Sequence, residues 1–183
     1  SSAASDVYKR QVMNYRDRYV TVELEDDEFT RIKDVIGTPE YEETEIDGVR
    51  TSKVSFIESQ TLNDVVQSYC TRVNEAANWY FDIDFLEPLQ VTKYEEGDRY
   101  DWHQDESEWC RNKRPNEKIR KISFTLLLNE DFEGGEFVLI NQEIPLKAGT
   151  MIFFQSDDYH QVNPVKKGVR NSLVGWIQGP AWK

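Results

Sequence analysis

Cysteine and long apolar segments are both scarce in this sequence of 183 residues. Two cysteines, Cys70 and Cys110, are too few for a disulfide framework, and Cys70 falls on an apolar helical stripe that predicts a buried, reduced thiol. No apolar run approaches the roughly 18–20 residues that cross a bilayer, and no secretory signal stands near the start. We therefore expect a soluble, cytoplasmic protein that contacts no membrane.

Positive charge is also in short supply. The chain has 22 Lys and Arg against 34 Asp and Glu, a net charge of −12. Binding to a phosphate backbone depends on a basic surface, so this balance argues against a nucleic-acid partner. One segment differs, because it holds six cations: Arg111, Lys113, Arg114, Lys118, Arg120 and Lys121. This segment is either a solvated basic loop or a clamp for an acidic or polar substrate.

Two tryptophans, Trp102 and Trp109, lie shortly before this basic segment. Loops of this kind close over substrate in some enzymes, and aromatic rings there can stack on a ring of the substrate. The same two side chains can equally serve as hydrophobic plugs. Both interpretations stay open from the sequence.

The chain length fits one domain with its own hydrophobic core. Ser1 to Ser5 are small and polar, and the first methionine is Met13. We therefore expect residues 1–12 to be largely a vector-derived tail and residues 13–183 to form a single domain.

The N-terminal half is predicted to hold one strand and two helices. Alternating residues indicate a strand at 19–24, followed by a helix at 26–36 and a polar surface loop at 38–50. An apolar stripe predicts a second helix at about 62–79. Thr61 and Asp64 have the spacing of a capping box at its start.

Beyond residue 80 the hydrophobic pattern changes to a period of two. In one segment Ile122, Phe124, Leu126 and Leu128 alternate with Ser123, Thr125 and Leu127. Further strands are predicted at 138–140, 150–154 and 169–177, with glycine-containing turns between them. About seven short strands at this spacing indicate a β-sandwich or barrel. The predicted fold class is mainly β, with the two N-terminal helices packed outside the sheet.

Histidine occurs only twice, at His103 and His160. Residues i and i+2 of an extended segment project from one face, so His103 and Asp105 can reach the same point. His160 follows the predicted strand at 150–154 after a polar turn. Two imidazoles and one carboxylate on one side of a metal form the facial triad of non-haem Fe(II), which leaves positions open for substrate and oxygen.

Arg170 follows His160 on a predicted strand, where it shares one face with Ser172, Val174 and Trp176. A guanidinium that points into a barrel is costly unless it is paired. It is therefore expected to bind an anion, and its planar fork suits a carboxylate. The alternative is an outward Arg170 that pairs with a surface acid.

The stretch from Glu87 to Trp176 resembles the catalytic core of the 2-oxoglutarate/Fe(II)-dependent oxygenases, specifically the prolyl 4-hydroxylase-like branch. Six segments match in order and spacing: residues 90–105, 120–129, Gly134-Gly135-Glu136-Phe137, 149–154, His160 and 164–170. The resemblance implies a double-stranded β-helix, a distorted jelly roll, as the core of the fold.

The resemblance also implies the cofactors. Fe(II) would be held by His103, Asp105 and His160, with 2-oxoglutarate as cosubstrate, O2 as oxidant and ascorbate as the reductant. Arg170 would bind the far carboxylate of 2-oxoglutarate, and Tyr94 would donate a hydrogen bond to it. Related halogenases lack the carboxylate so that a halide can enter, so Asp105 makes hydroxylation of an unactivated C–H bond the expected reaction.

Five residues are expected to contact substrate, because they match positions of the prolyl hydroxylase peptide groove: Arg50, Ser52, Glu87, Arg120 and Trp176. The first two belong to a segment similar to the Arg-Thr-Ser strand of those enzymes. The resemblance favours a prolyl residue in a peptide or protein as substrate. Collagen-type members carry Lys where Arg170 stands, which argues against a collagen-like substrate.

Two other functions stay open. The same chemistry can act on a free amino acid, a metabolite or another side chain. From a different class, the chain can be a cupin-like metal-binding module without turnover. Cupins usually supply three histidines and a glutamate, whereas this chain has two histidines, and the retention of Arg170 favours a cosubstrate site.

Overall fold

The structure is a computed structural model that describes residues 17–46, 48–108, 111 and 117–181. The predicted tail at 1–12 lies outside these ranges, as do Trp109 and Cys110. Two α-helices precede most of the strands, α1 (Asp26–Ile36) and α2 (Gln60–Ala76). Within the described ranges no helix combines the length and apolar character needed to cross a membrane.

Short strands form the rest of the described fold. In chain order they are β1 (Tyr19–Glu23), β2 (Glu42–Ile46), β3 (Arg50–Ile57), β4 (Phe85–Leu86), β5 (Leu89–Tyr94), β6 (Arg99–His103), β7 (Ile119–Leu127), β8 (Phe132–Gly134), β9 (Phe137–Leu139), β10 (Gln142–Ile144), β11 (Thr150–Gln155), β12 (His160–Val162), β13 (Val165–Gly168) and β14 (Arg170–Gly179). The strands outnumber those predicted because several have only two or three residues and too short a pattern to recognise.

Most of these strands join one curled antiparallel sheet. Its order is β1-β11-β7-β14-β5-β3-β6-β12-β9-β10, with β2 added to β3 and β4 to β14, while β13 and β8 form a separate pair. The strands curl around an interior, as expected for a double-stranded β-helix. The predicted fold class, mainly β with two flanking helices, is confirmed.

The late strand β14 lies in the middle of the sheet. Its residue Ser172 is paired with Leu127 of β7 on one side and with Thr92 of β5 on the other. The strand predicted at 169–177 is thus confirmed, with a C-terminal extension. This position places the alternate side chains of β14 inside the fold, where Arg170 is one of them.

The side chains of β7 alternate between the two sides of the sheet. Ile122, Phe124 and Leu126 join the apolar cluster that α2 covers with Leu62, Val66, Cys70 and Val73. Ser123 and Thr125 project to the opposite side, into the interior of the curled sheet. Cys70 is completely buried, as predicted.

Two N-terminal predictions were wrong. The loop expected at 38–50 contains β2, whose exposed acidic residues pair with β3 through the backbone. Such a strand buries no apolar face and therefore leaves no hydrophobic period. Helix α2 begins at Gln60 and not after a Thr61 capping box, because the hydroxyl of Ser59 accepts the hydrogen bond from the Leu62 amide (3.3 Å).

Candidate metal and cosubstrate site

Three donor side chains converge at the interior end of β6. His103 is the last residue of this strand, Asp105 lies in the bend just after it, and His160 opens β12 directly opposite His103 in the antiparallel register. The donor atoms of all three residues lie within 4.8 Å of one another. Asp105 Oδ1 is 3.6 Å from His103 Nε2, and Oδ2 is 3.5 Å from His160 Nε2. One ion can contact all three.

Backbone carbonyls orient both imidazoles. Nδ1 of His103 lies 2.8 Å from the carbonyl oxygen of Asp101, and Nδ1 of His160 lies 3.0 Å from that of Asp158. A carbonyl oxygen only accepts hydrogen bonds, so Nδ1 carries the proton in both rings. The lone pair of each Nε2 is left facing Asp105, as in metal sites where a hydrogen bond to the far nitrogen fixes the tautomer.

Asp105 is kept ionised in this buried setting. Burial opposes its charge, but positive charge on His160 and His103, when these rings are protonated, and the hydrogen bond from Ser123 hold its pKa well below the usual range. When the rings are neutral, the bond from Ser123 still stabilises the carboxylate. Burial has the opposite effect on His160, whose pKa it lowers and whose imidazole it therefore keeps neutral. Neutral imidazoles and an ionised carboxylate are the protonation states that a divalent cation requires. The donor set therefore fits Fe(II).

Two residues that the sequence did not indicate complete this site. Ser123 Oγ donates a hydrogen bond to Asp105 Oδ2 (2.6 Å). The Tyr100 ring stacks on the His103 imidazole, with centroids 3.4 Å apart, and burial raises its pKa to about 12. Ser123 lies on a strand whose alternation was readable, but alternation alone does not say which inward residue meets a ligand. No strand was predicted over Tyr100.

Arg170 lies in the same interior and is only 2% exposed. Its Nη1 donates to the hydroxyl of Ser172 (3.2 Å), and its guanidinium lies 5.7 Å from the ring centroid of Tyr94, its register partner on β5. Among the described residues no carboxylate pairs with it. Burial lowers the pKa of Arg170, yet a guanidinium keeps its charge, so this cation is available for an anion inside the fold.

Tyr94 is 4% exposed and faces the same space. Burial raises the pKa of its phenol, so Tyr94 stays neutral and can donate a hydrogen bond. The structure thus brings Tyr94 together with Arg170 and the three donors, as the cosubstrate prediction requires. The binding roles themselves stay predictions.

Arg50, at the start of β3, is the second buried guanidinium of this interior. Its Nε donates to the hydroxyl of Ser52 (2.8 Å), which holds the side chain, and the guanidinium carbon lies 4.8 Å from the centroid of the Tyr100 ring. Arg50 faces the interior cavity, whereas Ser52 supports it and does not line that cavity.

The other three predicted substrate residues form a compact group at one side of the cavity. Arg120 donates from Nε and Nη2 to the two carboxylate oxygens of Glu87, both at 2.6 Å. The guanidinium also lies over the Trp176 ring, 4.1 Å from its centroid. Trp176 lines the cavity, while Glu87 and Arg120 stand behind it. The structure therefore brings all three together.

A cavity of about 470 Å³ connects these groups. Its charged lining consists of Arg50, His103, Asp105, His160 and Arg170, with Tyr94, Tyr100 and Trp176 among the aromatic walls.

The basic segment is only partly described. Lys113 and Arg114 lie outside the described residues, and Trp102 is 40% exposed. Lys118 pairs with Asp84 at 3.0 Å, and Arg120 pairs with Glu87, so two of the six cations are neutralised by acids. A clamp made by the whole segment stays a prediction.

Comparisons with known proteins agree with this geometry. The family model of the 2OG-Fe(II) oxygenase superfamily matches residues 89–178. A PKHD-type hydroxylase from Synechococcus sp. (strain CC9902) is 40% identical over 96 residues, covering 49% of this chain and 40% of that relative. The chain thus spans less than half the length of this curated relative.

Two solved structures share the fold. The viral collagen prolyl hydroxylase of Paramecium Bursaria Chlorella virus-1, a 2OG complex, has a TM-score of 0.70 at 23% identity, over 89% of this chain and 97% of that one. A prolyl hydroxylase from Trichoplax adhaerens, in complex with a hypoxia inducible factor peptide fragment, has a TM-score of 0.66 at 18% identity, over 87% and 83%.

The matched residues contain His103, Asp105 and His160, together with Tyr94 and Arg170. The chain therefore belongs, through residues 89–178, to the 2OG-Fe(II) oxygenase superfamily.

Proposed function

We propose that this chain, an Fe(II)- and 2-oxoglutarate-dependent oxygenase by its family, hydroxylates an unactivated C–H bond of a prolyl residue in a peptide or protein. The observation that carries the proposal is the convergence of His103, Asp105 and His160 on one point of a cavity that also holds the buried, uncompensated Arg170. A bare metal-binding module has no need of that guanidinium.

The three donors would hold iron on one face. Their Nε2 and carboxylate atoms come from β6, the bend after it and β12, so the protein supplies ligands from one side and leaves the cavity side open. When bound with 2-oxoglutarate and O2, iron supplies the oxidising power for C–H hydroxylation. Ascorbate is proposed as the reductant that keeps the iron in its Fe(II) form.

Arg170 and Tyr94 would hold 2-oxoglutarate. The guanidinium fork suits a carboxylate, and the neutral phenol of Tyr94 can donate a hydrogen bond to the same group. Both residues sit deep in the cavity on paired central strands, so they fix the cosubstrate relative to the metal ligands. Apolar neighbours such as Phe137 and Phe154 help to exclude water from this part of the site.

A prolyl substrate is supported by the group at the side of the cavity. The Trp176 ring offers an apolar wall, and Glu87 fixes Arg120 over its face. A proline ring can pack on such a wall while its peptide groups meet polar side chains. Two proteins with a similar fold are prolyl hydroxylases, one of them with a bound peptide, and this also supports a prolyl substrate.

The sequence predictions on the partner class and the cellular location are also part of this proposal. The excess of 12 negative charges supports a peptide or protein partner over a nucleic acid. A cytoplasmic location suits the reduced state predicted for Cys70, whose pKa burial raises.

The proposal is tested first by cosubstrate binding without oxygen. Fe(II) and 2-oxoglutarate are added anaerobically, and the charge-transfer absorbance of the complex is titrated. The His103→Ala variant should lose iron binding, whereas Arg170→Ala should keep iron but bind 2-oxoglutarate at least tenfold more weakly, because a buried charged hydrogen bond is lost. Arg31→Ala, which removes an exposed arginine of α1, is the matched control and should change neither.

Turnover is tested next with air present. Succinate formation is measured by chromatography, and proline-containing peptides are searched by mass spectrometry for the addition of one oxygen. Each peptide has a partner in which the proline is replaced by alanine. Oxygen added only to the proline peptides supports the proposal. Failure of the Fe(II) form to bind 2-oxoglutarate would overturn the oxygenase assignment itself.

A further inference from the structure

We propose that Arg50 binds a carboxylate of the substrate, so that the enzyme prefers a prolyl residue that has a free carboxylate or stands next to an acidic side chain. This inference rests on the proposed function and adds to it the chemical class of the substrate.

The first argument is the burial of an unpaired cation. Arg50 is only 9% exposed, and its contacts among the described residues are the hydroxyl of Ser52 and the ring of Tyr100. Neither partner carries a negative charge. Because a buried charge is costly unless it is paired, the free edge of this guanidinium is suited to a bound anion.

The second argument compares the three arginines around the cavity. Arg120 is neutralised by the two-pronged pair with Glu87, whereas Arg170 and Arg50 have no acidic partner in the described part of the chain. Arg170 matches the far carboxylate of 2-oxoglutarate, which accounts for one of the two free cations. The cation of Arg50 is left for a different anion.

The third argument is the balance of charge in the loaded site. Fe(II) and the two free guanidiniums together exceed the carboxylate of Asp105 and the two carboxylates of 2-oxoglutarate by a single positive charge. Because Arg50 and Arg170 are buried, this excess favours a substrate with one negative charge. A neutral prolyl segment would leave it uncompensated.

The fourth argument is position. Tyr100 is the register partner of Arg50, and its ring also stacks on the His103 imidazole. Arg50 is thus joined to a predicted metal ligand through one aromatic ring. A carboxylate on its fork would hold the adjoining carbons of the substrate on the metal side of the cavity, which Arg50 also lines.

The test measures binding to the anaerobic Fe(II) form loaded with 2-oxoglutarate. N-acetyl-L-proline, with a free carboxylate, is compared by calorimetry with N-acetyl-L-prolinamide. A second pair of capped dipeptides, Pro-Glu and Pro-Gln, places the carboxylate on a side chain. At least one acid should bind roughly tenfold or more tightly than its amide, and the pair that responds identifies the source of the carboxylate.

Two substitutions assign this preference to Arg50. Arg50→Gln should remove it, while Arg50→Lys, which keeps the charge without the fork, should keep part of it. Both variants should bind 2-oxoglutarate as the unchanged protein does, which also reports that the site is folded. Arg31→Ala again serves as the control.

Three results would overturn the inference. One is equal binding of acids and amides, including no binding of either. Another is a preference for acids that persists in Arg50→Gln. The last is weaker 2-oxoglutarate binding in both Arg50 variants, which would place Arg50 in the cosubstrate site. In the first two cases the oxygenase assignment stands, because 2-oxoglutarate binding is measured separately.

Discussion

The hydroxyl of Ser123 donates a hydrogen bond to Asp105 Oδ2 at 2.6 Å. A hydroxyl has one proton, so the 2.9 Å contact between Ser123 and Ser156 is one in which Ser156 donates. Ser123 therefore orients the carboxylate, and Ser156 orients Ser123. The candidate metal site therefore has a support on β7, which follows β6 in the chain but is separated from it in the sheet by β14, β5 and β3.

We predict that Ser123→Ala weakens Fe(II) binding by about 10- to 100-fold, the range for residues that orient metal ligands. Ser156→Ala should have a smaller effect, because it leaves the Ser123–Asp105 bond in place. The dissociation constant is measured anaerobically by competition with a chromogenic chelator. Equal affinities in the unchanged protein and Ser123→Ala would contradict the orienting role.

A glycine supports Arg170 by leaving space. Gly135 has a φ of +66°, and a Cβ added there would meet Arg170 Cδ at 3.0 Å and Val165 Cγ2 at 3.1 Å. We predict that Gly135→Ala displaces Arg170 and raises the Michaelis constant for 2-oxoglutarate about tenfold, with iron binding unchanged. Succinate formation at varied 2-oxoglutarate concentration measures it.

Gly97 provides the control for backbone strain. It also has a positive φ, +88°, but a Cβ there would meet nothing within 4 Å. Both alanine variants carry a strain of about 1–2 kcal/mol in the free energy of unfolding. Only Gly135→Ala should change the Michaelis constant, so a similar change in Gly97→Ala would assign the effect to strain.

The Glu87–Arg120 pair is expected to matter for stability as well as for substrate. Glu87→Gln removes the charge that neutralises Arg120 and should lower the free energy of unfolding by about 1–3 kcal/mol. Lys118→Met breaks the more exposed pair with Asp84 and should cost less than about 0.5 kcal/mol. Urea unfolding monitored by fluorescence compares the two, and equal costs would contradict the prediction.

An ion-pair group on the outer surface of the sheet is expected to make a pH-dependent contribution to the stability of the protein. Lys53 and Lys93 are directly opposite each other on β3 and β5, and Glu95 bridges them at 2.9 Å and 2.6 Å. The bond from Lys93, followed by that from Lys53, lowers the pKa of Glu95 from 4.5. Its stabilising effect is therefore present above pH 4.5 and is lost as the pH falls through the lowered pKa.

The Glu95→Gln variant tests this contribution. Its thermal midpoint should lie below that of the unchanged protein at pH 7, because two ammonium groups then face each other without a bridge. The difference should shrink at low pH and in high salt, which screens exposed charges. A difference that is the same at pH 3 and pH 7 would rule out the ionic explanation.

Much of the site could be predicted because successive side chains of a strand point to opposite faces of the sheet. Arg170 and Trp176 were placed on one face of β14 by spacing alone, and that face does line the cavity. His103 and Asp105 were likewise expected to meet, although β6 ends at His103 and the bend after it delivers Asp105. Two residues this close in sequence stay close in space even though the backbone leaves the strand conformation between them.

Other features have no local signal. Nothing in the sequence around Ser123 distinguishes it from the neighbouring inward Thr125, because the bond to Asp105 forms between segments 18 positions apart. The stacking of Tyr100 on His103 depends on the rotamers of both side chains. Strand β2 is held by backbone pairing with β3, while its charged side chains are exposed. Each is set by tertiary contact and not by residue type.

The central place of β14 bears on how the protein is made. A ribosome delivers β5 and β7 long before residues 170–179, so these two strands must wait with open edges until β14 arrives between them. Arg170 comes with that strand. The nascent chain can therefore present His103 and Asp105 early, but it acquires the buried guanidinium of Arg170 only in the step that closes the sheet.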